Sequence, residues 1–184
     1  RSIYGTSQEK SGLFHRQNQA IFKEKCVPAI ERYIGVVYEN IGWADLSNNA
    51  QKYMQENVLI FSGLFGMLQP LTLIPNYKLK MNVLSLQHHW RPILSEALNK
   101  EKFIIDLLPQ VHRKAYTPHK DVLRVDFSVI NKGKKVAAGH FGKAVKGQFI
   151  KYLAENTIKS KKDFNGFEYD GFKWNGVQFI KEQN

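Results

Sequence analysis

The apolar run Val58-Leu59-Ile60-Phe61 halts at Ser62-Gly63-Leu64-Phe65-Gly66. Large apolar residues in sequence, ended by a polar turn with two glycines, have the composition of a buried strand that delivers a turn to its end. In an α/β protein such strand ends border ligand crevices. The glycines belong where backbone turns sharply or approaches a neighbour closely.

Helical and extended patterns alternate along the rest of the chain. Residues 12–32 read as helical, with Pro28 closing or restarting the run, and Tyr33 to Tyr38 reads as a short buried strand. Trp43 to Asn57 has an amphipathic stripe with Ser47 as its N-cap. Leu84 to Leu98 predicts a helix with Pro92 in its first turn if it begins near Arg91, and Phe103 to Leu108 a second apolar strand. Val122 to Ile130 alternates as a strand does, and Asn131-Lys132-Gly133-Lys134 turns it into a hairpin with residues 135–141. Lys143 to Ile158 is an amphipathic helix, and the aromatic, glycine-rich tail ends in a strand near Val177 to Ile180. The expectation is a single α/β (mixed α+β) domain over residues 1–184, a mixed sheet flanked by helices.

The 184 residues suffice for a genuine core without disulfides. One cysteine, Cys26, forms no internal bridge and reads as an ordinary, partly buried thiol. No apolar run is long enough to span a membrane, and no secretory leader is visible, so a cytoplasmic protein with no membrane partner is expected. Against 16 acidic residues stand 27 Lys and Arg, a net charge of +11. Such an excess concentrates polyanions, nucleic acid first among them, although a lysine-rich solvated surface has the same composition.

The strongest local basic signal is Gly142-Lys143-Ala144-Val145-Lys146-Gly147, two lysines three apart at the start of a predicted helix. Free amides and the dipole there favour an anion, and Gly142 and Gly147 allow a ligand backbone to approach. The spacing is not that of a Walker loop. Arg113 and Lys114, with His119 and Lys120, form a second cluster; Lys159, Lys161 and Lys162 form a third. Tyr77, Trp90, Phe141 and Trp174 are candidate stacking faces, against the commoner role of aromatics in a core.

Catalytic chemistry has weaker support. Ser62 follows a strand as a nucleophile would, but Ile60 occupies the place of the preceding glycine, and no ordered acid and histidine accompany it. Its plainer role is to hydrogen-bond the turn. The adjacent pair His88-His89 points two ways, and His112, His119 and His140 have no carboxylate or cysteine in register, so no metal and no cofactor are expected. No catalytic residue is assigned.

The segment Ser62 to Leu71 resembles the YaaA family of bacterial peroxide-stress proteins, whose pattern is Ser-Gly-Leu-Tyr-Gly followed by Leu-x-Pro-Leu; Phe65 stands for the tyrosine. Tyr77, Leu79 and Met81 continue the match, as does Trp90. His140 to Gly147 is similar to the family's Phe-Tyr-Ala-Lys-x-Ala-Arg-Gly segment, and Gly166-Phe167 and Gly171-Phe172 to its ending. Gln69 and Lys146 replace arginines, Asp106-Leu107-Leu108-Pro109 replaces an Asn-Leu-Ala-Ser-like strand end, and Val111 stands where a carboxylate is expected. The family's opening strand is expected to fall outside this sequence.

The resemblance implies an α/β fold of the family's own kind and a cytoplasmic role in limiting oxidative DNA damage. It also implies binding of duplex or branched DNA through a basic cleft and a helix-hairpin-helix element, for which only Ile3 to Phe22 leaves room. On this reading the protein is a DNA-binding monomer rather than an enzyme. Lys143 and Lys146 contact phosphate, Arg113 and Lys114 assist, and Ser62, Gly63, Gly66, Tyr77, Gly142 and Gly147 shape the cleft. The alternative is an enzyme acting on a small phosphorylated or nucleotide-like ligand between Ser62 and Lys143.

Overall fold

The computed structural model describes residues 3–183. Helices α1 (Gln8–Gln19), α2 (Ala29–Arg32), α3 (Val36–Ile41), α4 (Asn48–Asn57), α5 (Leu86–Leu98), α6 (Gln110–Arg113) and α7 (Gly139–Glu155) alternate with short strands. These are β1 (Val27–Pro28), β2 (Ile60–Ser62), β3 (Gly66–Leu68), β4 (Leu73–Ile74), β5 (Ile104–Asp106) and β6 (Val122–Arg124). The remainder are β7 (Phe127–Asn131), β8 (Lys134–Ala137), β9 (Glu168–Tyr169), β10 (Phe172–Trp174) and β11 (Phe179–Gln183). The class is mixed α/β, and two compact units divide the chain: residues 1–32 with 59–123, and residues 33–58 with 124–184.

The first unit is built on short strand pairs, β1 with β4 and β2 with β3, both antiparallel, and β5 with β6. Its core gathers Phe61, Met81, Leu94, Leu98, Ala115 and Tyr116, with Trp90 and Ile104 packed against them. Leu94 and Leu98 lie four apart on α5, so one face of that helix enters the core. The strand predicted over 58–61 is β2, and it returns at once through Ser62 to Gly66 into β3.

The second unit holds the mixed sheet, in the order β8-β7-β11-β10-β9, with β7 and β11 parallel. α7 packs on it through Phe149, whose ring meets those of Phe127, Phe164, Phe167 and Phe179 at 4.8 to 6.1 Å between centroids. Aromatic rings supply much apolar area at small entropic cost, which suits a core this small. The predicted hairpin is present between β7 and β8, with Lys132 and Gly133 both at positive φ, as a tight two-residue turn requires.

Several boundaries differ from expectation. Residues 12–32 are not one helix: Ser7 caps α1, which ends at Gln19, and Val27 and Pro28 pair with β4. Tyr33 to Tyr38 is not a strand, because Val36 to Ile41 coils into α3 between Gly35 and Gly42, both at positive φ. A short apolar run has no period of its own, and packing decides it. Ser47 does cap α4, accepting from the Ala50 amide, whereas Trp43 to Asp45 forms a separate 3₁₀ turn.

Helix α5 starts at Leu86 rather than Arg91, which places Pro92 in its interior. Alternation over 122–130 covers two strands, since β6 belongs with β5 and β7 with the large sheet. Ile3 to Phe22 forms α1 and the start of a 3₁₀ turn, with no second helix to make a helix-hairpin-helix. Cys26 is exposed rather than partly buried.

Candidate functional site

In the first unit the turn from Ser62 to Gly66 is locked from three sides. Ser62 is 2% exposed, and its Oγ accepts the amides of Leu64 at 3.2 Å and Phe65 at 2.9 Å. The same hydroxyl lies 2.6 Å from the Tyr77 hydroxyl. Two amides and the Tyr77 hydroxyl thus occupy the Ser62 hydroxyl within the turn. A serine so enclosed is a structural turn residue, as its plainer reading has it.

The glycines here admit the protein's own atoms. At Gly63 a Cβ would stand 2.6 Å from the Leu79 carbonyl oxygen, and at Gly66, with φ of +73°, it would strike the Trp90 ring at 2.7 Å. Trp90 donates from Nε1 to the Gly63 carbonyl at 3.0 Å, and Phe65 meets Tyr77 edge-on. Ser62, Gly63, Gly66, Tyr77 and Trp90 therefore form one rigid corner.

The second cluster of the first unit is organised by a carboxylate that sequence reading did not assign. Asp106, buried at the end of β5, accepts from the Leu108 amide at 2.8 Å and the Tyr116 hydroxyl at 2.7 Å, and pairs with Arg113 Nε at 3.1 Å. Arg113 is thus committed inward rather than displayed to a phosphate. The polar residue at a strand end was the visible signal. Lys114 is exposed, and Arg91 grips its carbonyl at 2.8 and 3.0 Å. Burial holds the neighbouring His112 below the usual imidazole range.

In the second unit, α7 begins at Gly139, four residues earlier than the lysine signal suggests. Lys143 and Lys146 consequently lie within the helix rather than at its first amides. They are three apart, so they share a side; Lys143 is exposed and Lys146 half-buried. Gly147 does allow a close approach, but by α3: a Cβ there would stand 2.4 Å from the Val37 carbonyl oxygen and 2.6 Å from Asn40 Cβ. At Gly142 the nearest atom is Ala138 Cβ, at 2.9 Å.

Lys159, Lys161 and Lys162 follow the other end of α7, which is about 25 Å long, and do not join Lys143. A groove of about 370 Å³ at that end mixes signs: Lys52, Glu56 and Lys159 line it with Asn49 and Tyr53. Lys52 already lies 3.9 Å from Glu56. Burial raises the pKa of Tyr53, whose hydroxyl donates to the Ile158 carbonyl. Burial likewise raises that of Tyr38 on α3, seconded by Tyr33.

Of the four aromatic candidates, Tyr77 and Trp90 are spent in the corner and Trp174 packs on Phe164 and Phe179. Phe141 alone of the four is largely exposed, at 68%. Among the described residues no three His, Cys, Asp or Glu side chains gather as a metal site, and no helix is long and apolar enough to cross a membrane.

A family model described as "Peroxide stress protein YaaA" matches residues 1–177. A "UPF0246 protein" of Rickettsia rickettsii (strain Iowa) is 31% identical over 173 residues, covering 83% of this chain and 70% of that protein. A UPF0246 protein of Rickettsia bellii (strain OSU 85-389) is 27% identical over 196 residues, covering 95% and 79% respectively.

Proposed function

This chain belongs to the YaaA family of peroxide stress proteins, and from that membership we propose that it protects DNA during peroxide stress by binding it without reading base sequence. The observation that carries the proposal is the side of α7 on which Lys143 and Lys146 stand together, in a chain of net charge +11. Ammonium groups on one side of a helix can neutralise neighbouring phosphates and release their counterions, which supplies affinity irrespective of sequence. Lys114 is a secondary contact. Arg113 acts through Asp106, fixing α6 and hence the backbone of Lys114. The corner of Ser62, Gly63, Gly66 and Tyr77 is a scaffold, and the protein works in the cytoplasm as a monomer.

The test is duplex DNA affinity over a series of salt concentrations. Wild-type affinity should fall steeply with salt and be the same for unrelated sequences. Lys143→Ala with Lys146→Ala should weaken binding uniformly and lower the slope of log K against log salt by about two. An unchanged slope and affinity in the double variant would refute the assignment.

A further inference from the structure

The outer end of the five-stranded sheet carries residues that phosphate binding by α7 does not use. By register Lys134 stands opposite Asn131 on β7, and Asn131 opposite Gln183 on β11. The three side chains form a row across three strands on one face, and all three are exposed. It is the face on which α7 packs, since Phe127 and Val129 alternate with Ser128 on the same strand as Asn131.

Helix α7 covers the inner part of this face and gives way at its first turn to a cavity of about 40 Å³. Phe141 lines that cavity together with Val129, Asp170, Phe172, Lys181 and Gln183, and the Asp170 carboxylate is paired with Lys181 at 2.9 Å. A single exposed apolar side chain is ordinary on any surface. Phe141 is distinguished by its place, at the border of a row of two carboxamides and an ammonium. On one flank stands Gly139, where a Cβ would meet nothing within 4 Å. Phe141 itself is 68% exposed, which leaves ring surface open to a planar group.

We infer that this sheet end is a platform for unpaired nucleotides, on which Phe141 stacks a base, Asn131 and Gln183 offer carboxamides to its edge, and Lys134 meets the adjoining phosphate. The inference rests on the DNA-binding reading and adds a form preference to it. Every base presents a π-face, and a carboxamide both donates and accepts, so the platform tolerates any base. A base stacked within a duplex must first be extracted, which costs a few kcal/mol. Nucleotides that are already unpaired avoid that cost. The excess of Lys and Arg supplies the complementary charge.

The experiment compares Phe141→Ala and Phe141→Trp with the wild-type full chain, using a short single-stranded oligonucleotide carrying a fluorescent adenine analogue and a duplex of the same sequence. Stacking should quench the analogue when wild type binds. Phe141→Ala should lose the quenching and about tenfold in single-strand affinity, with duplex affinity unchanged, while Phe141→Trp keeps both. Single-strand affinity within about twofold of wild type in Phe141→Ala overturns the platform and leaves duplex binding by Lys143 and Lys146 standing. Failure of wild type to bind either DNA at low salt overturns both.

Discussion

Gly147 is where the packing of α7 can be tested with one methyl group. In a helix interior, alanine is favoured over glycine by about 1 kcal/mol, so in open space the substitution stabilises. Here the added Cβ would stand 2.4 Å from the Val37 carbonyl oxygen and 2.6 Å from Asn40 Cβ. An ordinary contact needs about 3.4 Å, so α3 must retreat by roughly 1 Å. The obstructing oxygen is backbone and has no rotamer to escape into. Overpacking costs typically 1 to 3 kcal/mol, and an immovable neighbour puts this case near the upper figure. The net expectation for Gly147→Ala is a loss of about 2 kcal/mol, equivalent to roughly 4 to 8 °C in Tm for a chain of this size.

Gly12→Ala in α1 is the opposite case, since its nearest atom is the flexible end of Arg16 at 4.0 Å. That variant should gain up to about 1 kcal/mol. Urea unfolding followed by circular dichroism reads both. A Gly147→Ala protein as stable as wild type, or more so, would refute the close approach of α3 and α7.

Three further outcomes follow from the same geometry. Asp106→Ala removes the carboxylate shared by Arg113 and Tyr116, and should cost about 3 kcal/mol or more in denaturant unfolding, far beyond a surface ion pair. His112 has its pKa lowered by burial, so the unfolded chain takes up a proton first as pH falls through the ordinary histidine range. Stability present above that range is lost below it, and His112→Gln should flatten this part of the stability profile. Cys26 is exposed, so one thiol per chain should react with a chromogenic disulfide reagent in native buffer at a rate that denaturant changes little.

What could be read from residue order was whatever local chemistry governs. Ser47 had to cap a helix because its hydroxyl satisfies the Ala50 amide. Lys132-Gly133 had to turn, because both positions sit at positive φ. The strand that ends at Ser62 and the motif around it also identified the family. Tertiary contact decided the rest. Val36 to Ile41 is helical because its backbone meets α7 at Gly147, and that glycine's meaning changed from ligand approach to helix packing for the same reason.

Arg113 and Lys114 are adjacent in sequence and equally basic, yet Asp106 draws one inward and leaves the other exposed. Asn131 and Lys134 flank a hairpin turn that the sequence announces, but Gln183 lies far along the chain and joins their row only through strand register. Capping and turn preferences act over a few residues and so are written in composition. Partners brought together by a sheet or a helix interface are set by burial of apolar surface, which only the folded chain resolves.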